Sequence, residues 1–140
     1  MTLAEIMVVV ALVALLTGLV LPAFKRSFDR IHTRGAAQDV MTAFFTARAS
    51  AIALGQESTV VLDARNARVL VVSRRDTLLW RQLGEEHGVV MTSTRDSMSF
   101  YPDGLGLGGA NLRVIVTRGR ATDTVIVSRE GRAKLGTRAR

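Results

Sequence analysis

Glu5 is the only ionisable side chain ahead of Lys25, and it opens a run of nineteen residues, Ile6 to Phe24, that carries no charge. A carboxylate placed there has two kinds of chemistry open to it. Thr2 stands three residues earlier, the spacing of a capping box, in which the Thr2 hydroxyl accepts from the Glu5 amide and the Glu5 carboxylate accepts from the Thr2 amide. Negative charge also suits the positive end of a helix dipole. The other reading is assembly. In apolar surroundings a carboxylate is costly unless paired, and a free N-terminal amine, supplied by a neighbouring copy of the chain, is a cation of the right type. The two readings are compatible.

Other residues with chemical potential form no catalytic set. His32 and His87 are the only histidines, one in a charged helical segment and one in a turn, and no carboxylate ligands stand out to join them. They read as two separate solvated side chains rather than a metal site. Glu85 and Glu86 are adjacent in a predicted hairpin turn, which suggests exposure rather than a matched acid–base pair. Pro102 to Ala110 holds Gly104, Gly106, Gly108 and Gly109. Neither a Gly-Lys-Ser/Thr lead into a helix nor a strand–turn–helix unit surrounds them, so the segment reads as a flexible connection. The chain has no cysteine, which excludes disulfides, thiolate zinc sites, iron–sulfur clusters and thiol nucleophiles. A Gly-x-Ser-x-Gly elbow is also absent. The expectation is a non-enzyme with no cofactor and no metal.

Charge is the remaining signal. Nineteen Lys and Arg against twelve Asp and Glu give +7 and a pI near 11.4, and seventeen of the nineteen are Arg. Such a balance favours nucleic acid, phospholipid headgroups or acidic surfaces without choosing among them. Between Arg118 and Arg140 seven basic residues face two acidic ones. This stretch reads either as a solvated tail with turn charges or as an edge that neutralises DNA phosphates, with Arg132, Lys134, Arg138 and Arg140 as the candidates.

The elements that must carry these residues follow from length and periodicity. With 140 residues the chain suits one domain. As a helix, Ile6 to Phe24 is roughly 28 Å long, close to the ~30 Å of a bilayer core, so it can span a membrane. It begins after an acidic residue and lacks the basic start and cleavage site of a secretory signal. Lys25, Arg26, Arg30 and Arg34 follow it, so the positive-inside rule applied to this chain alone puts the C-terminal part in the cytoplasm, and a basic leader ahead of it reverses that. Pro22 lacks an amide hydrogen, which predicts a kink or local melting around Gly18 to Pro22. A second helical signal runs to about Leu54, with Phe28, Ile31, Met41, Phe44, Phe45, Ala51, Ile52 and Leu54 near one stripe expected to face a sheet. Gly55 then stops the helix. Taken together these make a helix about 80 Å long, part of which must protrude.

Beyond Gly55 the period changes to two. It predicts strands near Ser58–Asp63, Arg68–Ser73, Thr77–Leu83, Val89–Thr92, Ser97–Tyr101, Leu112–Thr117 and Thr124–Ser128, with a last one at Arg132–Leu135. The fold class is α+β, a long N-terminal hydrophobic helix packed on an antiparallel sheet of adjacent pairs. Residues 1–24 form the hydrophobic segment and 25–140 the soluble domain.

The start Met-Thr-Leu-Ala-Glu-Ile, the uncharged helix and Pro22 resemble the N-terminus of mature type IV pilins and type II secretion pseudopilins. That family begins Phe-Thr-Leu-x-Glu-Leu and carries a proline in the same register; Met1 and Ile6 are apolar exchanges. The resemblance implies that a prepilin peptidase removes a short basic leader and methylates the amine of Met1. It further implies that Met1, Thr2, Leu3, Glu5, Gly18 and Pro22 serve assembly, the Gly18 to Pro22 region stretching as subunits pack. Ser-Phe-Tyr-Pro-Asp-Gly, two strands and Ser-Arg-Glu-Gly-Arg resemble the GspH/FimT domain over roughly residues 36–135. Phe100, Pro102, Gly104, Gly131 and Arg132 carry that match. FimT-type DNA-uptake pilins have a Gly-Arg-x-Arg motif near the C-terminus. Here Gly131, Arg132, Ala133 and Lys134 end on Lys, which keeps the charge and loses a bidentate fork.

What the resemblance implies is a pilin-like fold and a structural subunit of a type IV pilus-like helical filament, a homo-oligomer polymerising through its N-terminal helix. Its partners would be the inner-membrane assembly platform and the prepilin peptidase. The subunit would sit in a bacterial inner membrane before assembly and in an extracellular or periplasmic filament afterwards. The alternatives are a DNA-binding minor pilin and a minor pseudopilin of a type II secretion system.

Overall fold

A computed structural model of the chain describes residues 2–107 and 111–136, without the side chains of residues 19–22. Helix α1 (Leu3–Leu54) is one unbroken element of 52 residues. It starts from Thr2 in extended backbone and ends where the Gly55 amide donates to the Ala51 carbonyl. The backbone stays helical through Gly18 and Pro22, so the local melting expected there is not seen. A proline removes a single intrahelical bond, and the turns on either side carry the ladder past it.

The stripe that α1 buries keeps Phe44 and Ala51 of the expected one, with Met41 packed against the core, and otherwise differs from it. Thr33, Ala36, Ala37, Val40, Ala43, Phe44, Ala47 and Ala51 are the buried positions, recurring at the three- and four-residue spacing of one helix face. Phe28, Ile31, Phe45, Ile52 and Leu54 are exposed instead. The reason is shape. An alanine face lets the helix axis approach a sheet closely, and Phe44 is the one bulky knob on it.

After α1 the order is β1 (Ser58–Asp63), β2 (Arg68–Ser73), β3 (Asp76–Gln82), α2 (Leu83–His87), β4 (Val90–Ser93), β5 (Ser97–Phe100), β6 (Gly106–Leu107), β7 (Leu112–Arg118), β8 (Ala121–Val127) and β9 (Ala133–Leu135). In place of the expected single sheet there are two, ordered β3-β2-β1-β5-β6 and β4-β7-β8-β9. All pairings are antiparallel. The chain changes sheet at Leu83–His87, where the predicted hairpin turn is a short helix anchored by the fully buried Leu83. Strand β5 returns to pair with β1, Ser58 opposite Phe100 and Val61 opposite Ser97.

Alternation along the strands sends Val60, Leu62, Val69, Val71, Met98 and Phe100 of one sheet inward. Met91, Leu112, Val114, Val116, Val125 and Val127 of the other do the same, and α1 packs against both sheets. Phe44 meets Phe100 edge to face at 6.4 Å between ring centroids. Behind Phe100 lies Gly131 at φ +79, where an added Cβ would collide with Phe100 Cε1. Both glycine's positive φ and its missing side chain are therefore required there. In the β1–β2 turn, Asn66 donates to the Asp63 carboxylate from its side chain at 2.6 Å and from its backbone at 3.2 Å. The side-chain bond is the main cause that holds the Asp63 carboxyl below the usual carboxylate range.

Candidate functional site

The capping box at the N-terminus is formed. Thr2 N donates to Glu5 Oε2 at 2.7 Å, and Glu5 N donates to Thr2 Oγ1 at 3.4 Å. The Thr2 hydroxyl adds a third bond to the same carboxylate oxygen at 3.3 Å. Glu5 thus sits at the solvent end of α1 with its charge on the positive end of the helix. Residues 2–18 and 23–28 are exposed along the whole helix surface. Among the described side chains the first buried one is Thr33, so roughly 45 Å of α1 lies ahead of the core. Leu3 and Gly18 lie on this bare segment, and a methyl group added at Gly18 would meet nothing within 4 Å. Pro22 lies within it too, as backbone. Met1 falls outside the described residues.

Where the apolar run ends, the folded part presents cations. Lys25, Arg26, Asp29, Gly119 and Arg120 line an open pocket of about 370 Å³. Arg118 is structural: its Nε donates to Asp29 Oδ1 at 3.2 Å, and Nη1 donates to the His87 carbonyl.

The basic tail is not one patch. Arg118 and Arg120 sit at one end of β8, whereas Arg129 and Arg132 lie past its other end and Lys134 stands opposite Ile126 near that end, roughly 20 Å or more away at the rise of a strand. Arg132 and Lys134 are exposed, and Lys134 is on the edge strand β9. Arg138 and Arg140 fall outside the described residues. Register adds a residue that sequence reasoning missed. Arg113 pairs with Ile126, which pairs with Lys134, so Arg113 and Lys134 flank Ile126 on the outer face. The alternation of β7 carried that signal, but the distance between the two residues along the chain hid the pairing.

Two further expectations are corrected. Gly106 and Leu107, expected in a flexible connection, pair with Phe100 and Ser99 as an edge strand. The histidines, expected apart and solvated, meet: the rings of His32 and His87 lie 6.0 Å apart in an edge arrangement. His87 Nε2 is 2.7 Å from Asp39 Oδ2, with side-chain exposures of 20% and 29%. The carboxylate partner that the sequence did not reveal is Asp39, about two turns along the same helix face from His32. Glu85 and Glu86 are exposed as expected, on α2 rather than in a hairpin.

The fold has close counterparts. The minor pilin FimU of Pseudomonas aeruginosa superposes with a TM-score of 0.64 at 12% identity, covering 77% of this chain and 90% of that one. The minor pseudopilin EpsH of the Vibrio cholerae type 2 secretion system gives 0.58 at 14% identity, covering 74% and 95%. Comparison with curated proteins by sequence gives no match. The model of the family described as type II transport protein GspH matches residues 36–131, a span that holds the alanine face of α1, both sheets up to β8, and the packing of Phe100 on Gly131. By that match the chain belongs to the GspH family.

Proposed function

We propose that the chain is a structural subunit of a pilus-like helical filament, a type IV pilus or a secretion pseudopilus, and not an enzyme. One observation carries this reading: the N-terminal part of α1 is apolar over a bilayer's length and bare on its described side chains, while the rest of the helix is the core of a folded domain. An apolar surface of that length needs a cover. Lipid supplies it before assembly and other copies of the helix supply it in the filament, with residues 1–24 as that segment and 25–140 as the soluble domain. Membership in the GspH family and the fold shared with a minor pilin and a minor pseudopilin support the reading. In it, Met1, Thr2, Leu3 and Glu5 form the assembly end, Gly18 and Pro22 give the helix its adaptable stretch, and the inner-membrane platform and prepilin peptidase are the partners. The subunit then passes from the inner membrane to an extracellular or periplasmic filament.

Filaments purified from the native bacterium test this directly. Mass spectrometry of the subunit in them is expected to find an N-methylated Met1 left by leader cleavage. A formylated Met1 removes processing from the proposal, and absence of the chain from every filament fraction removes assembly.

The Arg113–Ile126–Lys134 row and exposed Arg132 favour a second reading, capture of DNA by a minor subunit. The full chain in detergent would then bind duplexes regardless of sequence, with a steep salt dependence. Replacing Arg132, Lys134, Arg138 and Arg140 by Gln is expected to flatten the slope of log affinity against log salt by about 0.9 for each phosphate left without its cation, roughly three to four units in all. An unchanged slope leaves the filament role alone.

A further inference from the structure

We propose that His87, Asp39 and Glu86, with His32 beside them, form a binding site for one divalent transition-metal ion of the zinc type, which pins α2 to α1. One ligand atom from each of Asp39, Glu86 and His87 lies within 4.8 Å of the other two. Tetrahedral zinc with bonds of about 2.0–2.2 Å sets its ligand atoms roughly 3.3 Å apart. The 2.7 Å approach of His87 Nε2 to Asp39 Oδ2 therefore has to open by only about half an ångström to admit an ion. The carboxylate of Glu86 then swings inward from the Gln82 amide that it now accepts from at 3.2 Å. Two carboxylates balance the ion's charge, and an imidazole nitrogen selects zinc, cobalt or nickel over calcium and magnesium, which prefer oxygen alone.

The surroundings are built to hold this geometry. His32, Gly35 and Asp39 are spaced by three and four along α1, so they share one face. His87 seats on that face because position 35 has no side chain: a Cβ there would come within 2.9 Å of His87 Cε1. From the other side, Arg118 fixes the backbone carbonyl of His87 while pairing with Asp29. An imidazole held through both its ring and its backbone is preorganised for a ligand in the way that outer-shell partners orient metal-binding histidines. The ring of His32 lies 6.0 Å from that of His87 and would supply a fourth ligand by rotating its side chain. Helix α2 is the element that carries the chain from one sheet to the other, so an ion at this point ties both sheets to α1.

The test uses the untagged full chain in detergent micelles, stripped of metal. Titration with zinc chloride is expected to show one equivalent bound at micromolar or tighter affinity, with a rise in melting temperature. Cobalt(II) is expected to give the intense visible bands of a four-coordinate ion, and calcium and magnesium no response. His87→Gln and Asp39→Asn are expected to weaken zinc at least 100-fold, and His32→Gln about 10-fold. Because His87 Nε2 and Asp39 Oδ2 are also hydrogen-bonded to each other, either variant can unfold α2. Glu86→Gln, at an exposed position, avoids this and is expected to weaken zinc at least 10-fold with unchanged metal-free melting. Absence of zinc binding by the unaltered chain overturns the proposal and leaves a simple His87–Asp39 hydrogen bond. Zinc affinity unchanged in Glu86→Gln and in a folded His87 or Asp39 variant places the metal elsewhere and overturns it equally.

Discussion

Glu5→Ala is expected to abolish filaments while the folded domain melts as before. Glu5 lies about 42 Å along the helix from Thr33, where burial begins, so its removal reaches the core only through the capping box. Thr2 Oγ1 still accepts from the amide of residue 5 in that variant, so the loss is the exposed bond from the Thr2 amide, worth about 1 kcal/mol, and it is felt in the first turn of a segment whose described side chains are exposed. In a filament the same carboxylate enters apolar surroundings, where we propose that it meets the N-terminal amine of a neighbour. Breaking a buried pair by removing one partner costs about 3–5 kcal/mol, because the other charge is left uncompensated. At tenfold per 1.4 kcal/mol, this lowers the constant for adding each subunit by roughly a hundred- to several thousand-fold. Glu5→Gln separates cap from charge, since an amide oxygen still accepts from Thr2 but carries no charge. Electron microscopy of the bacterial surface is expected to show neither variant in filaments. Normal filaments from both would reduce Glu5 to the local cap seen in the monomer.

The second large effect concerns two adjacent phenylalanines. Phe44→Ala is expected to destabilise the domain by about 3–5 kcal/mol, the cost of emptying a core aromatic site, whereas Phe45→Ala is expected to change it by less than about 1 kcal/mol. Phe44 is 1% exposed and stacks edge to face on Phe100, while Phe45 is 51% exposed. For a chain of 140 residues, the loss at Phe44 corresponds to a fall in melting temperature of roughly 10–20 °C, measured by circular dichroism on the full chain in detergent. Equal losses at the two positions would show that α1 packs by its other face. The truncation also removes the partner that holds the Phe100 ring against Gly131, so the β8–β9 turn should loosen along with it.

Much of the fold was legible because it is local. The start at Thr2, the stop at Gly55, the uncharged run between Glu5 and Lys25, and the boundaries of β1 and β2 all depend on neighbours a few residues away. Strands β3, β4, β5, β7, β8 and β9 were found within three residues at either end for the same reason. The N-terminal candidate site, Thr2 with Glu5, was legible too, since a capping box spans four consecutive positions.

The sequence by itself determined that an apolar helix too long for one small domain leads into period-two strands, and that Glu5 is the chemically distinct residue at its head. Only the tertiary structure decided which face of that helix is core. A reading weighted by hydrophobic size picks Phe28, Ile31, Phe45 and Ile52, yet close packing against two sheets rewards the small alanines and leaves those large residues outside. The pairing of β1 with β5 and the division into two sheets joined through Leu83 were likewise hidden, because they join segments about 40 residues apart. So was the meeting of His87 with Asp39, 48 residues apart: residue type supplies the ligand chemistry, but where α2 docks on Gly35 sets the distance.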